Sequence, residues 1–122
     1  MTFCDIKKTM MIINAPVPLA DLKLMAENRF GNLVKAVVDV EREVMAVDGE
    51  LHSDKEALLL ENGSRQENLW GINIYPELTG PDRVEFDSLI NIRPSQKNLS
   101  RGVNDLILRE KIVQIVDGLV RG

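Results

Sequence analysis

Residues 69–75, LWGINIY, alternate strictly, with Trp70, Ile72 and Ile74 on one side and Gly71, Asn73 and Tyr75 on the other. Pro76 ends the run, Thr79-Gly-Pro-Asp82 turns the chain, and residues 84–92, VEFDSLINI, alternate again. Val84, Phe86, Ser88, Ile90 and Ile92 oppose Glu85, Asp87, Leu89 and Asn91. A period of two sustained on both sides of a Gly-Pro turn belongs to strands and not to helices, because only an extended backbone points successive side chains to opposite faces. This pair of runs commits the chain to a sheet.

Two more strands are predicted upstream. In 33–40, LVKAVVDV, residues Val34, Ala36, Val38 and Val40 share one face and Lys35, Val37 and Asp39 the other; 43–47, EVMAV, follows and ends at Asp48-Gly49. A helix over 33–47 competes, since the stretch lacks internal Gly and Pro, but its valine density favours a hairpin. Helical spacing of Leu19, Leu22, Met25, Ala26 and Phe30 predicts a helix near 18–30, stopped by Gly31 as a left-handed C′ residue. Ser53-Asp-Lys-Glu56 has capping-box spacing and predicts a second helix over 54–61, stopped at Asn62-Gly63. The stripe Leu108, Ile112, Ile115, Val116 and Leu119 predicts a third over about 104–120, with Asn104 or a neighbour as N-cap and Asp105 suiting the first-turn dipole. The order α-β-β-α-β-β-α describes an α+β domain, a mostly antiparallel four-stranded sheet with three helices packed on one face. Residues 1–10 lack a clear period and are expected to be a disordered extension, with 11–122 as the single domain.

Composition narrows the function classes. Hydrophobic residues make up 44% and charged residues 28% of the 122, the balance of an ordinary globular domain. Cys4 is the only cysteine, which fits a reducing compartment, and no apolar run approaches a membrane span, so a cytoplasmic location is expected. A net charge of −4 argues against non-specific duplex DNA binding, which needs a basic surface to neutralise phosphates. Any polyanion must then be met locally.

One stretch offers that. In NIRPSQKNLSRGVND, residues 91–105, the cations Arg93, Lys97 and Arg101 occur without a carboxylate until Asp105, and the loop leads through Gly102 into a helix start. Free amides at a helix N-terminus receive anions, and arginine adds bidentate bonds. Arg93, Lys97, Ser100 and Arg101 are therefore the candidate anion-binding residues. The competing reading pairs the two arginines with Glu or Asp of an adjoining helix or sheet. If the helices cover the apolar side of the sheet, the other face offers Lys35, Asp39, Asn73, Glu85, Asp87 and Asn91. A solvated antiparallel face accounts for most of these. Two asparagines in strands nevertheless suggest hydrogen-bonding work, and Asn73, Asp87 and Asn91 form a candidate polar site.

Catalytic constellations are weak. Ser88, His52 and Asp87 spell a triad on paper, but adjacent strand residues point to opposite faces. His52, Asp54 and Glu56 resemble zinc ligands, yet His52 precedes the predicted helix and shares no face with the others. Glu85, Asp87 or Asp39 would suit magnesium better. No catalytic residue, metal ligand or cofactor is assigned.

The segments LVKAVVDVEREVMAVDGELHSDKEALLLENGSRQENLWGINIYPE and VEFDSLINIRPSQKNLSRGV resemble a small uncharacterised prokaryotic family, a domain of unknown function, from about Ile12 to the C-terminus. The resemblance implies no activity, cofactor or site residue. Three functions follow from the residues alone. The first is a binding module for a phosphorylated small molecule, nucleotide or RNA segment through loop 93–101. The second is a protein-interaction or homodimeric regulatory domain, and the third a metal-assisted phosphate-chemistry enzyme using Asp87 or Asp39.

Overall fold

The computed structural model describes residues 10–122. The expectation of an extension over 1–10 therefore falls outside the described residues except at Met10, which is buried. Strands β1 (Met11–Ile13), β3 (Val34–Asp39), β4 (Val44–Val47), β5 (Leu69–Ile74) and β6 (Val84–Glu85) form one sheet in the order β1-β4-β3-β5-β6, every pair antiparallel. The helices are α1 (Leu19–Asn28), α2 (His52–Glu61) and α3 (Leu106–Leu119). A two-stranded parallel ribbon, β2 (Val17–Pro18) with β7 (Val120–Arg121), ties the start of α1 to the end of α3.

The valine hairpin forms. Ala36 pairs with Val47, Val37 with Ala46 and Val38 with Met45, and buried Asp39 closes the turn by accepting the amides of Glu41 and Arg42 at 3.0 Å. Gly31, at φ 90°, ends α1 with its amide bonded to the Ala26 carbonyl at 2.7 Å. Gly63, at φ 97°, does the same for α2, where Ser64 N bonds Leu59 O.

Four expectations are corrected. The sheet has five strands, because Met11–Ile13 pairs along β4, a run too short to show a period. The helices occupy both faces. On one, α1 and α3 bury Leu22, Ala26, Ile112, Ile115, Val116 and Leu119 against Val34, Ala36, Val38, Met45, Trp70, Ile72 and Ile74. On the other, Leu59 of α2 packs with Val37, Ala46 and Leu69. The second face is apolar where β4, β3 and β5 lie side by side, and a helix removes that patch from water at about 25 cal/mol per Å².

The third correction concerns α2, which starts two residues earlier than the capping box predicts. Leu51 is the N-cap, and no side chain of the described residues caps the helix. The fourth concerns 84–92. Only Val84 and Glu85 pair with β5, and residues 89–91 form a 3₁₀ turn. From there the side chain of Asn91 replaces the strand: its Oδ1 accepts from Gly71 N at 2.8 Å and its Nδ2 donates to Gly71 O at 2.9 Å. The carboxamide copies the donor and acceptor of a peptide, so β5 keeps a partner where the chain has left the sheet. Gly71 is needed there, since a Cβ would lie 2.5 Å from Ser88 Cβ. The N-cap of α3 is Asp105, whose carboxylate accepts from Ile107 N and Leu108 N.

Candidate functional site

Loop 93–101 is a compact, internally bonded turn. Arg93 and Asn98 exchange both backbone hydrogen bonds, residues 94–96 form a 3₁₀ turn, and Lys97 closes it at φ 60°. Asn98 is buried and its Nδ2 donates to the carbonyls of Asn91, Ser100 and Gly102, while its Oδ1 accepts from Asn104 N.

Arg93 is 7% exposed. Its Nε donates to Ile90 O, one terminal nitrogen to Gln66 O and Gln96 Oε1, and the other to Leu69 O. Glu56 of α2 stands 3.6 Å away and the guanidinium lies 4.6 Å over the Trp70 ring. Burial lowers its pKa from the ordinary arginine value, with Glu56 opposing. With its fork spent on this joint, Arg93 has no geometry left for a ligand. It ties the loop to α2 and β5. Ser100 Oγ donates to Asn104 Oδ1 at 2.8 Å, and Lys97 is exposed with no partner among the described residues.

Arg101 differs. Its Nε donates to Asp87 Oδ1 at 2.6 Å, both side chains are about half exposed, and its terminal nitrogens have no partner among the described residues. It lines a cleft of about 200 Å³ together with Lys35, Leu51, His52, Ser53, Ser88, Leu89 and Ile90. Three chain segments meet there: β3 supplies Lys35, the start of α2 supplies residues 51–53, and the turn after β6 supplies residues 88–90. Ser88 N and Asn91 Nδ2 both bond Arg101 O at 2.9 Å, which holds the Arg101 backbone beside that turn. The first amides of a helix have no acceptor within it, and among the described residues no side chain caps those of α2. The positive end of the helix dipole, Lys35 and Arg101 thus lie around one small cleft.

His52 completes it. Its Nε2 lies 2.7 Å from Ile72 O, and a carbonyl only accepts, so Nε2 carries the proton and Nδ1 the lone pair. Burial lowers the imidazole pKa to about 4; the Ile72 bond opposes this, Lys35 and Lys55 add to it, and Asp87 opposes it weakly. The ring is neutral at pH 7. The signal missed in the sequence was the helix start: moving it back to His52 turns a residue outside the helix into one on its first turn.

The polar-face candidates separate. Asp87 pairs with Arg101, Asn73 donates to Glu85 Oε1 at 2.8 Å, and Asn91 is consumed by Gly71 and Arg101 backbone groups. Tyr75 also donates to Glu85, at 3.2 Å, and its pKa is raised by desolvation and then by Glu85 and Asp87. Ser88 is buried, accepts from Ile90 N and has no bond to His52 among the described residues, while Asp87 is held by Arg101, so no triad assembles. Asp39 serves its turn. Among the described residues no group of three or more His, Cys, Asp or Glu side chains gathers as a metal cage, and no helix is long and apolar enough to cross a membrane. A larger cavity, about 580 Å³, lies between β6 and α3 and is mostly apolar. The convergent charges belong to the smaller one.

A family model described as a protein of unknown function, DUF5674, matches residues 11–119. No curated protein and no solved structure matches the chain.

Proposed function

The chain belongs to the DUF5674 family of unknown function, and from that premise we propose that it is a cytosolic binding module for a small phosphate- or carboxylate-bearing molecule. The observation that carries this reading is the start of α2, uncapped among the described residues, opening on a cleft lined by Lys35 and Arg101. The cleft is smaller than a typical drug-sized pocket of about 300–1,000 Å³, so it suits an anionic head group with the rest of the ligand outside. Trp70, 4% exposed, is core and offers no stacking surface, which favours a small molecule over an RNA segment. The neutral His52 Nδ1 and the Ser53 hydroxyl would bond a protonated ligand oxygen.

The test is a low-salt thermal-shift and calorimetric titration with inorganic phosphate, simple phosphomonoesters and small carboxylates. An anion at a hundred times its dissociation constant stabilises the fold by about 2.7 kcal/mol. Lys35→Ala and Arg101→Ala should abolish the shift and Lys97→Ala should leave it. Loss with Lys97→Ala alone would return the site to loop 93–101, and no shift with any anion would sink the reading.

A further inference from the structure

The cavity between β6 and α3 shares no lining residue with the cleft of Lys35 and Arg101. Val84, Phe86, Leu106, Arg109, Glu110 and Val113 line it, and its volume is about 580 Å³. Leu106 on its rim is 70% exposed and the next residue, Ile107, is 78% exposed, the most exposed large apolar residue described. An apolar hollow and an apolar projection therefore share one patch. Opposite charges share it too. The Arg109 guanidinium stacks 5.0 Å over Phe86; among the described residues it bonds only the Val103 carbonyl, and exposed Glu110 has no side-chain partner.

We infer that this face is the interface of a homodimer with two-fold symmetry. A two-fold contact brings the same patch to both subunits, so whatever projects from one must fit a hollow of the other within that same patch. Leu106 and Ile107 at the first turn of α3 enter the hollow walled by Val84, Phe86 and Val113 of the second copy, and the reverse occurs at once. Arg109 of each copy meets Glu110 of the other. The charge pattern selects a second copy: a chain of net charge −4 repels itself over most approaches, whereas this patch carries one cation and one anion side by side and matches its own image.

Sedimentation equilibrium on the full chain tests this. The wild type should run at twice the 13.7 kDa chain mass. Ile107→Glu should raise the dimer dissociation constant about thirtyfold or more, the scale of removing an interface hot spot. An acidic residue in the first turn suits the helix dipole, so this variant keeps its fold, which circular dichroism verifies. Glu110→Arg, at an exposed position, sets two cations against their images and should weaken the dimer as well. A wild type that stays monomeric through the micromolar range overturns the inference. So does a dimer that both variants leave intact.

Discussion

Replacing Asn91 by alanine tests the substitution of a side chain for a strand. Asn91 is fully buried, and its carboxamide makes bonds of 2.8 and 2.9 Å to the Gly71 amide and carbonyl and 2.9 Å to the Arg101 carbonyl. Arg101 O keeps its bond from Ser88 N, so two groups are orphaned, both on Gly71. A buried polar group left unmade costs about 1–3 kcal/mol, which gives a loss of about 2–6 kcal/mol in Asn91→Ala. Domains of this size hold only about 5–15 kcal/mol in total, so the effect is large. Urea unfolding reads it as a fall in midpoint, with an unchanged slope showing that stability and not the unfolding transition has altered. Asn62→Ala is the control, an exposed asparagine with one bond to Leu58 O, expected to cost under about 1 kcal/mol. Asn91→Asp sharpens the test: its carboxylate still accepts from Gly71 N but faces the two carbonyls without a proton to give. Its deficit should shrink in acid, where the carboxyl regains a donor. If Asn91→Ala costs no more than Asn62→Ala, the strand-replacement argument is wrong.

Two pH effects follow from burial. The His52 pKa is about 4 in the fold against 6.5 unfolded, so the unfolded chain binds the proton more readily between these values. Its share of stability is complete above pH 6.5 and is lost as pH falls toward 4, up to about 3 kcal/mol; His52→Gln should flatten that part of the urea profile. Lys55 is fully buried, with Nζ bonded to Leu51 O at 3.0 Å, and its pKa is lowered to about 8 from 10.5, by burial first, with Asp48 and Asp54 opposing. Here too the unfolded chain holds its proton longer. Wild type should therefore gain about 3 kcal/mol relative to Lys55→Met between pH 8 and 10.5, and parallel profiles for the two proteins would refute the shift.

The legible parts of the fold are those where periodicity and packing coincide. The valine run folds as a hairpin, Trp70, Ile72 and Ile74 face α1 and α3, and Gly31 and Gly63 end their helices. The second alternating run misled because extended backbone keeps a period of two whether or not a ladder forms beside it, and the ladder beyond Glu85 is made by one side chain. The face bearing Lys35, Asn73 and Asp87 reads as polar residue by residue. Its apolar members Val37, Ala46 and Leu69 gather only when β4, β3 and β5 lie side by side. Charge counting in 93–101 could not distinguish Arg93, spent on Gln66, Leu69 and Glu56, from Arg101, because those acceptors lie more than twenty residues away. Of the loop candidates only Arg101 reaches the cleft, and Lys35 came from the sheet-face reading.

Gly71, Ser88 and Asn91 also act as a key for alignment. Ser88 rests where only a residue without Cβ leaves room, and Asn91 reaches the amide and carbonyl of that same residue. Sliding the 88–91 turn by one position would set Ser88 against Trp70 or Ile72 and strand the carboxamide. The three positions should accordingly be inherited as a set: a change at any one is tolerated only when the others change with it, and descendants that insert a residue between 74 and 88 must absorb it in the turn before Val84.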